Sequence, residues 1–174
     1  MAAEGADLLD IGGESTRPFA EVVSAREEID RIVPVIRELV KKISTPISVD
    51  TCKAEVARAA LDAGAALVND VSALRSDPEL GKVVARYRIP LILMHMQGTP
   101  KNMQVNPYYE NLLPEISHFF RQRIEEAQNQ AGQSSHQGRS DRRRDHPHVE
   151  VLQGLDVGDE ARQQSGRVEE VEQE

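Results

Sequence analysis

Tryptophan is absent from this 174-residue chain, Phe and Tyr together bring the aromatic share to 3%, and a single cysteine, Cys52, stands alone. A disulfide scaffold or a Cys-based zinc finger needs more thiols than one, so both are excluded, and a reducing compartment such as the cytoplasm is expected. Long apolar runs are also lacking. The longest, Ile89 to Met96, falls far short of the roughly 20 residues that cross a bilayer, and no basic-plus-apolar leader opens the chain, so no membrane role is expected. Positive charge is in deficit as well, with a formal net charge of -8, which repels phosphate backbones at long range. The one basic cluster, Arg142 to Arg144, has no aromatic neighbour for base stacking and reads as a solvated charge run, so no nucleic-acid partner is expected.

What is present divides into two unlike parts. From Met1 to Ala127, short apolar runs alternate with amphipathic segments, and we read residues 1–127 as one domain. Residues 128–174 contain no Phe, Tyr or Trp and are rich in Gln, Arg, Glu, Ser, Gly and His. Such a composition buries too little surface to offset ordering entropy, and a disordered tail is expected there.

Within the first part, Ala6 to Ile11, Pro46 to Val49, Ala65 to Val68 and Ile89 to Met94 read as strands. Each is continuously apolar, the pattern of strands covered on both faces in a parallel sheet. Between them lie helical patterns. Ile29, Ile32, Val33, Ile36, Leu39 and Val40 recur at spacings of three and four, with Pro34 predicting a break or kink unless the helix starts beside it. A second helix is expected from Lys53 to Ala63, stopped by Gly64. A third runs from Asp77 to Tyr87, with Asp77 as N-cap and Pro78 in its first turn, and a fourth from Leu112 to Ala127. Strand and helix alternating at this rhythm predict a parallel α/β fold, either a doubly wound sheet or a (β/α) barrel. Both place their chemistry at the carboxyl ends of strands.

At those ends stand polar residues. The first strand runs into Asp10-Ile11-Gly12-Gly13-Glu14-Ser15-Thr16-Arg17-Pro18, where two glycines allow a sharp turn and Ser, Thr and Arg offer donors suited to an anion. A polar turn with Asp10 satisfied by backbone donors fits the same residues, and neither a phosphate-binding loop nor a dinucleotide fingerprint is complete. Asp50 follows the second run, where it could grip adjacent amino and ring N–H groups of a ligand or cap the next helix. Asn69 ends the third, with one acceptor and two donors that suit the edge of a heterocycle or a turn. The fourth ends at Met94, an adaptable apolar wall, and His95, which reads as a hydrogen-bonded structural residue more readily than as a base.

Three strings then fall in order: "GADLLDIGGESTRP" at Gly5 to Pro18, "ISVDTCKAEVARAALDAGAALVNDVSAL" at Ile47 to Leu74, and "PLILMHMQGTPKNMQ" at Pro90 to Gln104. Together they resemble the dihydropteroate synthases, pterin-binding enzymes of the folate pathway. The resemblance implies a partial (β/α)8 TIM barrel. It also implies condensation of a pterin carrying a pyrophosphate leaving group (6-hydroxymethyl-7,8-dihydropterin pyrophosphate) with 4-aminobenzoate, assisted by Mg²⁺. By the same resemblance Asp50 and Asn69 hold the pterin ring, Met94 walls its pocket, and Thr16 and Arg17 lie on a loop that binds pyrophosphate and shapes the aminobenzoate subsite. Asp10 would order that loop or the reaction centre, and a homodimer is implied.

Departures from the family pattern are equally specific. The family's Mg²⁺-binding Asn lies on a strand before the "DIGGESTRP" string, and this chain holds no counterpart of it. The Asp-Pro-Gly motif, the Lys, and the Arg and His that follow in the family have none either. Phe19 stands where the family usually has Gly. The change of composition predicts an artificial or frameshifted junction near Ala131-Gly132. The expected reading is a synthase-type transferase with little or no turnover by this chain. Two alternatives are a pterin-binding methyltransferase domain on the same barrel type, and a catalytically inactive binding protein.

Overall fold

The computed structural model describes residues 1–17, 20–135 and 168–171. Strands β1 (Leu8–Gly12), β2 (Ile47–Asp50), β3 (Leu67–Asp70) and β4 (Leu91–Leu93) alternate with helices α1 (Ala25–Leu39), α2 (Ala54–Ala63) and α3 (Leu80–Tyr87). Helix α4 (Leu112–Ser135) and strand β5 (Val168–Val171) follow. All pairings are parallel, in the order β4-β3-β2-β1-β5. Parallel neighbours need a crossover, and α1, α2 and α3 supply those between the first four strands.

Local chemistry sets the helix ends. Ser24 caps α1, its Oγ accepting from Glu27 N at 3.2 Å. Pro34 does not break α1. Proline removes the amide that would reach Asp30, but both residues are exposed, so the freed carbonyl meets water. Gly64 ends α2 in the left-handed region at φ 113°, as expected of a C-terminal glycine.

Asp77 departs from expectation. Helix α3 starts at Leu80, and Asp77-Pro78 form the turn before it. The Asp77 carboxylate is shared: Oδ1 accepts from Glu79 N at 2.9 Å and Oδ2 from Ala54 N at 2.8 Å, so it serves the N-terminus of α2. Only tertiary packing brings that amide within reach.

The first three strands bury side chains on both faces, as their patterns predict, but the two faces differ in polarity. Ile11, Ile47, Val49, Val68, Leu91 and Leu93 share one face and pack with Ile32, Ile36, Val56, Ala57, Ala60 and Leu80 of the helices. The other face carries Asp10, Ser48, Asp50 and Asn69 together with Leu8, Leu67 and Ile92. Asp10 and Ser48 lie inside the first two runs, and β2 alternates as Ile-Ser-Val-Asp.

Helix α4 continues past Ala127, through Ala131 and Gly132, to Ser135, and buries Phe120, Ala127 and Ala131. Strand β5 lies within the segment expected to be disordered; its backbone pairs with the edge of β1, which requires no apolar side chains. The remainder of that tail, residues 136–167 and 172–174, lies outside the described residues, as do Arg142 to Arg144 and Phe19.

Candidate pterin-binding site

Register assembles the site. Residues paired across parallel strands point to the same face, and Asp10 pairs with Ser48, Gly12 with Asp50, and Asp50 with Asn69. The Asn69 amide donates from Nδ2 to Asp10 Oδ2 at 2.8 Å. Two carboxylates and an amide from three successive strands therefore stand side by side at one end of the sheet. Asp10 and Asp50 are buried, Asn69 half-buried. Asp10 Oδ1 and Ser48 Oγ are buried with no hydrogen-bond partner among the described residues, an arrangement that costs free energy unless a polar group meets them. Asp50 is not spent on capping α2, whose N-cap is Lys53 and whose first amide is held by Asp77.

Asn69 and Asp70 are adjacent yet face opposite ways. Asp70, fully buried on the helix side, accepts from Ser72 N (2.8 Å), Ser72 Oγ (2.7 Å) and Leu74 N (2.6 Å), folding the loop after β3 through Ala73 and Leu74 at positive φ of 52° and 61°. Its charge also bears on Cys52. Burial first, and then Asp70, push the Cys52 thiol up to about 12, so it is protonated at neutral pH and unsuited to nucleophilic work.

The glycines after β1 serve packing. Neither Gly12 nor Gly13 has positive φ. A Cβ on Gly13 would lie 2.9 Å from Glu28 Cγ and Ile32 Cγ2, so the residue is small because α1 passes against it. Beyond it Glu14 turns inward: Oε2 meets Lys53 Nζ at 2.5 Å and Oε1 accepts from Val23 N at 3.0 Å. Lys53 also donates to Glu28 Oε2 at 2.6 Å and Val23 O at 2.8 Å. Burial opposes its charge, but hydrogen bonds to Glu14 and Glu28 outweigh burial and leave its pKa above the ordinary lysine value. The sequence reading missed Glu14, Glu28, Lys53 and Ser48. A lysine three residues beyond Asp50 in the same string was the available signal for one of them. Thr16 is half-buried and Arg17 exposed on the loop that follows Glu14, with Arg17 N donating to Ser15 Oγ at 3.3 Å.

Met94 is half-buried just past β4, its amide donating to Asp70 O at 3.3 Å. His95 packs edge-on to Phe119, ring centroids 4.7 Å apart, beside Tyr109 at 5.8 Å. Burial, then the nearby Arg75, lower its pKa, and its ring packs among these aromatics, a contact the sequence reading of a hydrogen-bonded histidine did not include.

A strand-end carboxylate beside an amide offers acceptors and donors suited to the edge of a flat nitrogen heterocycle. A family model described as pterin binding enzyme matches residues 1–135. The chain belongs to the pterin-binding enzyme family. It is 46% identical over 125 residues to dihydropteroate synthase of Synechocystis sp., covering 72% of this chain and 43% of that protein. With the Haemophilus influenzae dihydropteroate synthase it shares 44% over 126 residues, 72% of this chain and 46% of that one. Among solved structures, Yersinia pestis dihydropteroate synthase in a sulfonamide drug complex superposes with TM-score 0.71 at 46% identity, covering 74% of this chain and 46% of that one. The Xanthomonas albilineans enzyme with 4-aminobenzoic acid gives 0.68 at 48%, covering 75% and 45%. The chain thus spans less than half the length of these relatives, and its parallel sheet with flanking helices is part of their (β/α) barrel. No described helix is long and apolar enough to cross a membrane.

Proposed function

We propose that this chain carries the pterin-gripping part of a dihydropteroate synthase-type transferase. The observation that carries the reading is the row Asp10–Asp50–Asn69, held in register on one face and tied by the 2.8 Å bond from Asn69 to Asp10. Asp50 accepts from the amino and ring N–H groups of the pterin, and Asn69, oriented by Asp10, reads the neighbouring edge. Met94 closes the apolar side. Thr16 and Arg17 come from the loop above and meet the pyrophosphate and the aminobenzoate, where positive charge and hydroxyl donors stabilise the departing anion. In the reaction so assigned, the aminobenzoate nitrogen bonds to the pterin methylene, the bond from that carbon to the pyrophosphate oxygen breaks, and the amine gives up a proton. The chain's contribution is alignment of the two partners and neutralisation of the leaving group.

Mg²⁺ keeps most of its waters and is held by one or two protein oxygens together with substrate phosphates, and among the described residues no group of three or more His, Cys, Asp or Glu gathers that would hold a metal by side chains alone. No step is assigned to it. A cytoplasmic setting, a homodimer, and the division into a domain over 1–127 and a polar tail over 128–174 belong to the same proposal. It favours the synthase over a methyltransferase on the same barrel because the named relatives are synthases and because the Gly-Gly-Glu-Ser-Thr-Arg loop is present.

Isothermal calorimetry with a dihydropterin ligand tests the reading. Asp50→Asn is expected to abolish binding, since it replaces an acceptor-only group with one that presents donors to donors. Lys101→Ala, on an exposed turn, leaves affinity unchanged. Equal affinities in the two variants would overturn the assignment.

A further inference from the structure

Glu14, just after β1, and Val23, just before α1, are joined by one ammonium group. Lys53 Nζ, from the start of α2, reaches Glu14 Oε2 at 2.5 Å and Val23 O at 2.8 Å. Glu14 Oε1 completes the ring by accepting from Val23 N at 3.0 Å. The whole is fastened to α1 through Glu28, whose side chain is 1% exposed and whose Oε2 lies 2.6 Å from the same Nζ. Lys53 and Glu14 are themselves only 26% and 27% exposed, so the pairs work in a partly desolvated setting where Coulomb attraction is stronger than at a surface. The cation faces two carboxylates and a carbonyl dipole, and no second cation is paired with Glu14 or Glu28 among the described residues.

We propose that Lys53 is a positioning residue, clasping the neck of the loop that carries Thr16 and Arg17. This deepens the proposed function and, in its ligand-binding part, rests on that reading. Closing a loop at its neck restricts the paths open to the residues between, so Thr16 and Arg17 are presented over the strand ends from a fixed base. The three groups come from separate parts of the chain: the β1–α1 loop, α1, and the residue capping α2. The clasp therefore forms only when the first two βα units are docked, coupling loop geometry to the same packing that sets Asp50 beside Gly12.

Amide exchange followed residue by residue by NMR tests the clasp on the full chain, with Val49 in β2 reporting global opening. In Lys53→Met, Val23 is expected to exchange at least tenfold faster while Val49 changes less than twofold, and Lys53→Arg restores protection at Val23. Glu14→Gln, partly exposed and retaining an acceptor, is the second variant should Lys53→Met not fold. It is expected to speed Val23 in the same direction. Val23 and Val49 rising together, or Val23 unchanged, would overturn the clasp. Calorimetry then separates the two layers. In Glu14→Gln, 4-aminobenzoate affinity should fall at least tenfold with pterin affinity held within twofold; equal losses for both ligands would overturn positioning. An unsubstituted chain that binds no pterin refutes the proposed function instead, and the exchange data decide the clasp alone.

Discussion

Adjacent residues with nearly the same polarity do opposite jobs here. Asn69 lies on the polar face and donates to Asp10, whereas Asp70, the next residue, points among the helices and folds its own loop through three accepted hydrogen bonds. Replacing Asp70 by Ala leaves those donors without their buried carboxylate, and a loss of about 3–5 kcal/mol is expected, measured by urea unfolding. His95 shows how surroundings set a charge. Burial, and after it the Arg75 guanidinium, disfavour the protonated ring, so the unfolded chain binds that proton at a higher pH than the folded one. The contribution to stability is therefore complete above the unfolded pKa and is lost as pH falls from there toward the folded value. An NMR titration should place His95 below the ordinary histidine midpoint, and Arg75→Gln should raise it only part of the way, since burial is the larger cause. An Arg75→Gln midpoint equal to the original would remove Arg75 from the account.

Between elements, small side chains mark where helices come closest. At Gly13 a Cβ would press on Glu28 and Ile32, including the Glu28 carbonyl at 3.0 Å, and backbone does not swing aside as a flexible side chain does. Gly13→Ala is expected to destabilise by about 1–3 kcal/mol in denaturant unfolding. Gly132→Ala, with nothing within 4 Å of the added carbon and a helical position, should be neutral or stabilising by up to about 1 kcal/mol. A Gly13→Ala variant as stable as the original would show that contact with α1 does not require glycine there. Periodicity located β1 to β4, α1 to α3 and the start of α4 to within a few residues, because core-facing side chains repeat with the geometry of each element, but it stopped α4 at Ala127 where the helix runs to Ser135. It misplaced the start of α3, because the amide that Asp77 caps belongs to α2 and sits 23 positions earlier in the chain.

Across the whole molecule, a parallel sheet that is not closed on itself has two edges. At one, β4 is paired only with β3 among the described residues, and at the other β5 covers β1. Unpaired strand edges recruit other strands, so removing residues 168–174 should raise self-association, read as a concentration-dependent rise in sedimentation coefficient relative to the intact chain. A truncated chain that sediments like the intact one would show that β5 does not protect β1. The relatives, more than twice as long as the matched segment, continue the barrel beyond the part described for this chain.

The order of strands and helices, the family, and the identity of the polar residues at the strand ends were written in the linear pattern, because each depends on neighbours a few positions away or on a string that can be read whole. The orientation of those residues was not. Whether Asp50 caps a helix or faces a ligand, whether Asn69 reaches Asp10, and whether Lys53 joins Glu14 to Val23 depend on register and on helices docking from distant positions. Hydrogen bonds and ion pairs across 59 and 39 residues leave no periodic trace, and only the folded chain brings their partners to bonding distance.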